Sequence, residues 1–386
     1  MHELKEVEQR VRTLAERWRH ETVERRRREG LDASDFKALA EAGFTLAGVP
    51  RDDGGLFTDL GACIRPYARM LFALAGADPS LALVASMHPV VLGYWLGAEG
   101  SASGADWIRQ RQWVYHSASQ GQFWGTVTSE PGSGGDILET RSRALLDGDR
   151  FLLSGEKHFA SGSGICDYMI TTAQDGRDGE PPLFIVDVRH VKRGETRSGM
   201  TLTRPWDGHG MRATQSHAWR FQDYPAERHA DPQACAAARP LVAQLSAVLF
   251  SAVVLAVFEE AMAEARMVLV KRAETLRAAE RVGWVEAENR YWLARQAFEG
   301  MLTAVESGDG LRASVRGKLV LAELVEATLL ELGRVLGGGC FSRSQPYGQW
   351  LQDVRALGFL RPPWALAMDQ LFTLDRMAAG RVSLQG

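Results

Sequence analysis

The sequence predicts an α+β protein in three consecutive parts: an N-terminal helical domain over 1–120, an antiparallel β-domain over 121–232 and a C-terminal four-helix bundle over 233–386. Three observations predict it. Near the N-terminus Leu4, Val7, Val11, Leu14 and Trp18 recur at spacings of three and four, the period of a helix with one buried face. From Phe123 onward, short runs rich in Val, Ile, Thr and aromatics alternate with Gly, Asp and Pro, as strands and turns do. Beyond 236 the helical period returns in stretches long enough for bundle helices.

Taken in order, the first helix stops at Gly30, and Ser34 caps a second that carries Phe36 and Leu39 and ends at Gly43. The run Val49-Pro50-Arg51-Asp52-Asp53-Gly54-Gly55 is a turn-rich break. Helices follow at 59–76 and 79–97, split by Asp78-Pro79, and at 104–118. Strands are expected at 123–129, 141–146, 151–154, 168–173, 183–188 and 218–221, with Asp147-Gly148-Asp149 as a hairpin turn. The long helices are expected at 236–278, 283–307 and 311–336, with a further one at 364–379 beyond Gly337-Gly338-Gly339.

With 386 residues the chain is too long for one compact core, in keeping with three parts. A formal net charge of −3 carries no bulk positive field, which argues against a nucleic-acid partner. The cluster Arg25–Arg28 is local and reads as a solvated helix face. Cys63, Cys166, Cys235 and Cys340 are scattered without metal-type spacing and read as reduced thiols of a cytoplasmic protein. The most apolar stretch, 241–258, is broken by Gln244, Ser246 and Ser251, and fits a buried bundle helix better than a membrane span.

Three segments carry chemistry. They are Thr128-Ser129-Glu130-Pro131-Gly132-Ser133-Gly134-Gly135-Asp136, Gly155-Glu156-Lys157-His158-Phe159-Ala160-Ser161-Gly162, and Gly337-Gly338-Gly339 followed by Pro346 and Asp353-Val354-Arg355. Their order and spacing resemble the acyl-CoA dehydrogenase superfamily over nearly the whole chain, and 39–55 looks like that family's N-terminal signature. The resemblance implies the acyl-CoA dehydrogenase-like fold, an FAD cofactor, and oxidation of a CH–CH bond in an acyl thioester on CoA or a carrier protein. It also implies an electron-accepting flavoprotein and a homodimer or homotetramer. A flavin ring needs donors along its edge and an apolar wall for its faces. By resemblance, Thr126, Thr128, Ser129, Phe159 and Ser161 form that shell, with Arg334, Gly337 and Gly338 supplied by a neighbouring subunit. Phe159 stands where the family usually has tryptophan. It and Ser161 lie two apart, on one face of a strand. Sheet core is the plainer reading of Phe159, and a helix stop the plainer reading of the glycines.

The carboxylate base of the dehydrogenases is missing. Counted across without gaps, its place is Arg361; the alternative place on the first bundle helix is Gln244. Flavin-dependent monooxygenases of the same fold, such as the dibenzothiophene monooxygenase group, also lack it. The segment Lys157-His158-Phe159 resembles theirs. That second resemblance implies reduced FMN delivered by a partner flavin reductase and a small apolar substrate. His88, in Ser86-Met87-His88-Pro89, falls where such enzymes can place a histidine near the flavin. It is the candidate for acid/base work, against the plainer reading of a buried histidine at a helix end.

Overall fold

Helix α1 (Leu4–Arg19) buries Val7, Val11, Ala15 and Trp18 along one stripe and ends at His20, well before Gly30. A single turn, α2 (Thr22–Arg25), follows. The expectation of a Ser34 cap is corrected: Asp32 caps α3 (Ala33–Glu41), its carboxylate accepting the Ser34 N–H at 2.8 Å. Carboxylates cap the next two helices as well. Asp59 caps α4 (Leu60–Ala77), and Asp78 with Pro79 opens α5 (Pro79–Leu92). Each accepts an N–H that the first helical turn leaves without a partner. Helix α6 (Ala105–Ser119) completes the N-terminal helices. The computed structural model describes residues 3–96, 104–195 and 197–383, so the expected end of the second helix at 97 lies outside them.

The sheet order is β1-β4-β5-β7-β3-β2, with β6 also on β7. Its strands are β1 (Trp124–Thr126), β2 (Arg143–Asp147), β3 (Arg150–Ala160), β4 (Tyr168–Thr172), β5 (Leu183–Asp187), β6 (Met200–Arg204) and β7 (His217–Arg228); the short helix α7 (Arg189–Lys192) lies between β5 and β6. The β2–β3 hairpin turns where expected, pairing Asp147 with Arg150. The sheet is mixed rather than antiparallel: β1 runs parallel to β4, with Trp124 opposite Tyr168. The physical reason is connectivity. Residues 127–167 cross over through β2 and β3 before the chain returns beside β1, and only adjacent hairpin-linked strands must be antiparallel.

Helix α8 (Pro232–Val270) is capped by Asp231 and is buried on nearly every side from Leu245 to Phe258. It is long and apolar enough to cross a membrane by composition, yet 83% of its most apolar window is buried inside the protein. Helices α9 (Ala278–Glu306) and α10 (Gly310–Leu336) pack with it, and α11 (Tyr347–Phe359) closes the bundle against α8 and α10. Helix α11 goes beyond the helices expected from the sequence, its apolar residues following a glycine-rich break. Helix α12 (Trp364–Ser383) packs Ala367 and Leu371 on Val315 and Leu319 of α10. Residue Asp353 joins bundle and sheet: its buried carboxylate accepts the Met211 N–H at 2.6 Å. A side chain at Gly210 would run into the Gln352 carbonyl, so glycine is what allows that approach.

Candidate functional site

Strand β1 ends in Thr126, beside Val127 and Thr128. The Val127 N–H donates to Ile170 O and its carbonyl accepts from Thr171 Oγ1, so the segment stays in register with β4 past the strand end. Among the described residues no hydrogen bond engages the hydroxyls of Thr126 or Thr128. The next residue, Ser129, accepts the His158 N–H at 2.8 Å through its carbonyl, which brings it beside Phe159.

A buried ion pair fixes the turn that follows. The Lys157 ammonium, wholly buried, donates to Glu130 Oε1 at 2.5 Å, to Thr172 O at 2.6 Å and to Thr140 Oγ1 at 3.2 Å. The Glu130 carboxylate also accepts from Thr140 Oγ1, the Arg141 and Ser142 N–H groups and Ser142 Oγ. Burial alone would raise the Glu130 carboxyl, but Lys157 and the other donors outweigh it and hold the group well below the usual carboxylate range. Burial pulls Lys157 below the ordinary lysine range, against the opposing pull of Glu130. A fully bonded pair of this kind rigidifies a turn.

Phe159 is 57% exposed and adopts φ +55° where β3 slips register between Lys157 and Ala160. A phenylalanine in the left-handed region is strained by about 1–3 kcal/mol, and such strain gathers at ligand sites. The plainer alternative for Phe159 and one expectation give way. Phe159 is not sheet core: it projects outward, with the Trp206 ring edge-on at 6.1 Å. Nor does it share a strand face with Ser161, because the bulge turns the chain between them. Ser161 is buried, its hydroxyl 2.7 Å from Ser216 Oγ, which is in turn 2.7 Å from Thr214 Oγ1.

From the bundle comes Arg361. Its guanidinium donates through Nη2 to Ser129 Oγ at 2.9 Å and through Nη1 to Gly135 O at 2.7 Å. Burial lowers its pKa to about 10, so it stays protonated at neutral pH. Two contacts hold it in place. Lys318, fully buried in α10, donates to Leu357 O and Pro362 O at 2.8 Å each. The Pro363 ring sits 2.8 Å from where a side chain at Gly135 would begin. Tyr94, after α5, lies within the electrostatic reach of Arg361.

The remaining expected residues fall elsewhere. His88 does not reach this face. Its Nε2–H donates to Thr45 O at 2.8 Å and its Nδ1 accepts the Trp124 N–H at 3.1 Å. Both nitrogens are engaged in a fully buried position and burial lowers the pKa to about 4, so the ring is a neutral brace between α5 and β1. The acid/base expectation is corrected on that ground. Gln244 donates to Pro240 O of its own helix, and a side chain at Gly310 would collide with it; neither expected base position holds a base. Arg334 is exposed and paired with Glu331, and Gly337 and Gly338 have open space where a side chain would be. Among the described residues none of these three is hydrogen-bonded to the Ser129–Phe159 group.

Sequence reasoning had Arg361 only as the absence of a base, and missed Trp206, Lys318 and the Lys157–Glu130 pair. The signal for the pair was there, since Glu130 and Lys157 lie inside the two segments singled out.

The middle of the chain, residues 125–224, matches the family model for the acyl-CoA dehydrogenase middle domain. The match covers the β-domain, and the whole chain has the acyl-CoA dehydrogenase-like fold. It is 28% identical over 336 residues to a probable FMNH2-dependent monooxygenase, SfnC, of Pseudomonas putida, covering 81% of this chain and 78% of that one. The FMN-bound structure of TdsC from Paenibacillus sp. A11-2 shares the fold with a TM-score of 0.76 at 19% identity, covering 95% of this chain and 96% of that one. Butyryl-CoA dehydrogenase of Megasphaera elsdenii shares it with a TM-score of 0.78 at 16% identity, over 95% and 97% of the two chains. The fold is thus common to superfamily members named as oxygenases and as dehydrogenases, and the side chains must separate them.

Proposed function

We propose that this chain is a reduced-flavin-dependent monooxygenase that takes reduced FMN from a separate flavin reductase. The observation that carries the reading is Arg361. Counted across without gaps from the resemblance, Arg361 stands in the place of the dehydrogenases' carboxylate, and its guanidinium is hydrogen-bonded to Ser129 and Gly135. A group that stays protonated at neutral pH cannot remove an α-proton there. The similarity to SfnC, named as FMNH2-dependent, supports the same reading.

The residues present fit a flavin ring. Phe159 offers an exposed aromatic face held by strained backbone, with Trp206 behind it. The free hydroxyls of Thr126 and Thr128 and the backbone around Ser129 supply polar groups for the ring's edge. Bound reduced flavin supplies the two electrons with which one atom of O2 enters the substrate and the other leaves as water. In this reading the chain's part is to orient and to keep dry. The Lys157–Glu130 pair holds the turn rigid, and Ser161 links the site to the Ser216–Thr214 hydroxyls. Arg334, Gly337 and Gly338 are proposed to meet the flavin of a second copy in a homodimer or homotetramer, which their open surroundings permit.

A second reading is kept on one resemblance: the Ser129–Asp136 turn resembles the dehydrogenase version, with Gly135 where that version usually has serine. It makes the chain an FAD-dependent acyl-CoA dehydrogenase with an unrecognised base. Two experiments separate the readings. Purified protein given FMN, a flavin reductase, NADH and labelled dioxygen is expected to place the label in a small organic substrate. Anaerobic titration of the flavin-loaded protein with acyl-CoAs is expected to leave the flavin oxidised; bleaching by an acyl-CoA would return the assignment to dehydrogenation.

A further inference from the structure

Among the described residues the guanidinium of Arg361 has a charge with no charged partner. It has five N–H donors. Two are used, and both acceptors are neutral, the Ser129 hydroxyl and the Gly135 carbonyl. Among the described residues no carboxylate forms an ion pair with it. Among the described residues the fields of Tyr94 and Asp136 reach it, and the Asp136 carboxylate accepts from the Leu138 N–H instead. The other carboxylate nearby, Glu130, is taken up by Lys157. Arg361 is partly buried, and a charge drawn away from water without a counter-charge is costly. This one is nevertheless held rigidly, from below by Lys318 on Pro362 O and from the side by Pro363 against Gly135. Rigid placement of an uncompensated cation beside an exposed aromatic is the arrangement of a site that completes itself with an anion.

We propose that Arg361 is the specificity residue of the site and that it binds the oxyanion group of the substrate: a carboxylate, sulfinate or sulfonate carried on a small organic skeleton. The planar fork suits such groups because two N–H donors can meet two oxygens at once. Ser129 and Gly135 each take one terminal nitrogen of the fork, which fixes its plane. The apolar remainder of the substrate then lies toward Phe159 and Trp206. This rests on the reading of the Ser129–Phe159 face as a flavin site. The flavin's own phosphate is the competing source of the anion.

The test uses FMN-loaded protein and two probes of similar shape, methanesulfonate and the neutral dimethyl sulfone. Binding is followed by the flavin difference spectrum and by thermal shift. The expected result is that methanesulfonate binds about tenfold or more tightly than dimethyl sulfone, the size of a charge-assisted hydrogen-bonded contact. Arg361→Gln is expected to abolish the preference and leave FMN affinity unchanged, and Arg361→Lys to recover part of it. Equal affinities in the wild-type protein overturn the proposal, and that comparison stands even where a variant fails to fold. A preference that survives in Arg361→Gln overturns it too. Loss of FMN affinity in Arg361→Gln overturns it in favour of the flavin phosphate. If FMN does not bind at all, the flavin reading fails separately, and thermal shift by methanesulfonate on the flavin-free protein still decides whether Arg361 takes an anion.

Discussion

The guanidinium of Arg361 and the hydroxyl of Ser129 meet at 2.9 Å across 232 positions of chain, tying the end of the helical bundle to the turn after β1. The contact is what makes the two regions share one site. A double-mutant cycle with Ser129→Ala and Arg361→Gln should give a coupling of about 1.5 kcal/mol or more, the range of a hydrogen bond to a charged group. Additive effects in urea unfolding would show the contact to be incidental.

His88 should prove structural. His88→Ala leaves the Thr45 carbonyl and the Trp124 N–H buried without partners, and should cost about 3 kcal/mol, seen as a lower denaturant midpoint at unchanged slope. The folded pKa of about 4 lies below the ordinary 6.5. Between those values the unfolded chain binds a proton that the folded chain does not, so stability falls as pH drops from about 6.5 toward 4. The variant should lose that part of the acid sensitivity. A folded His88→Ala protein with a shifted pH–rate profile would restore the acid/base role.

The Lys157–Glu130 pair should behave as a buried pair. Glu130→Gln strands the ammonium and should destabilise by about 3–5 kcal/mol. The double variant Glu130→Gln/Lys157→Met should be more stable than Glu130→Gln alone, because it removes the stranded charge. Glu130 is held below its ordinary 4.5, so its contribution is present above about pH 4.5 and is lost as the pH falls through the lower folded value. Urea midpoints of the three proteins decide the order.

Lys318 gives a test of the same sign in an alkaline window. Burial lowers its pKa to about 7 from an ordinary 10.5. In that window the unfolded chain carries the extra proton, so wild-type stability should rise between pH 7 and 10 relative to Lys318→Met. The difference between the two unfolding curves isolates this residue from the other groups titrating there. A difference that stays flat with pH would mean that the ammonium is not desolvated.

Much of the fold was legible because its signals are local. The stripe in α1, the break at Asp78-Pro79, the hairpin at Asp147-Gly148-Asp149 and the apolar run of α8 each state their own period or turn. The parallel pairing of β1 with β4 was not legible, since it depends on where residues 127–167 cross over. Helix α11 was obscured by the glycine run before it, and Asp32 rather than Ser34 took the cap because both can and only the backbone angle at 32 fits. In the site, the two segments containing Ser129 and Phe159 were found by resemblance. The bulge that points Phe159 outward and Ser161 inward arises from pairing with β7, which strict alternation does not foresee.

By itself the sequence determined the helical–β–helical order, the turn and strand segments of the site, and the lack of a carboxylate at 361 and 244. The tertiary structure alone decided what replaces it. A residue's charge is written in its letter, but whether that charge is paired depends on neighbours far away in the chain. Arg361 becomes an uncompensated cation at a proposed ligand face only because α10 and α11 hold it against Ser129, and His88 becomes a neutral brace only because Thr45 and Trp124 close on both its nitrogens.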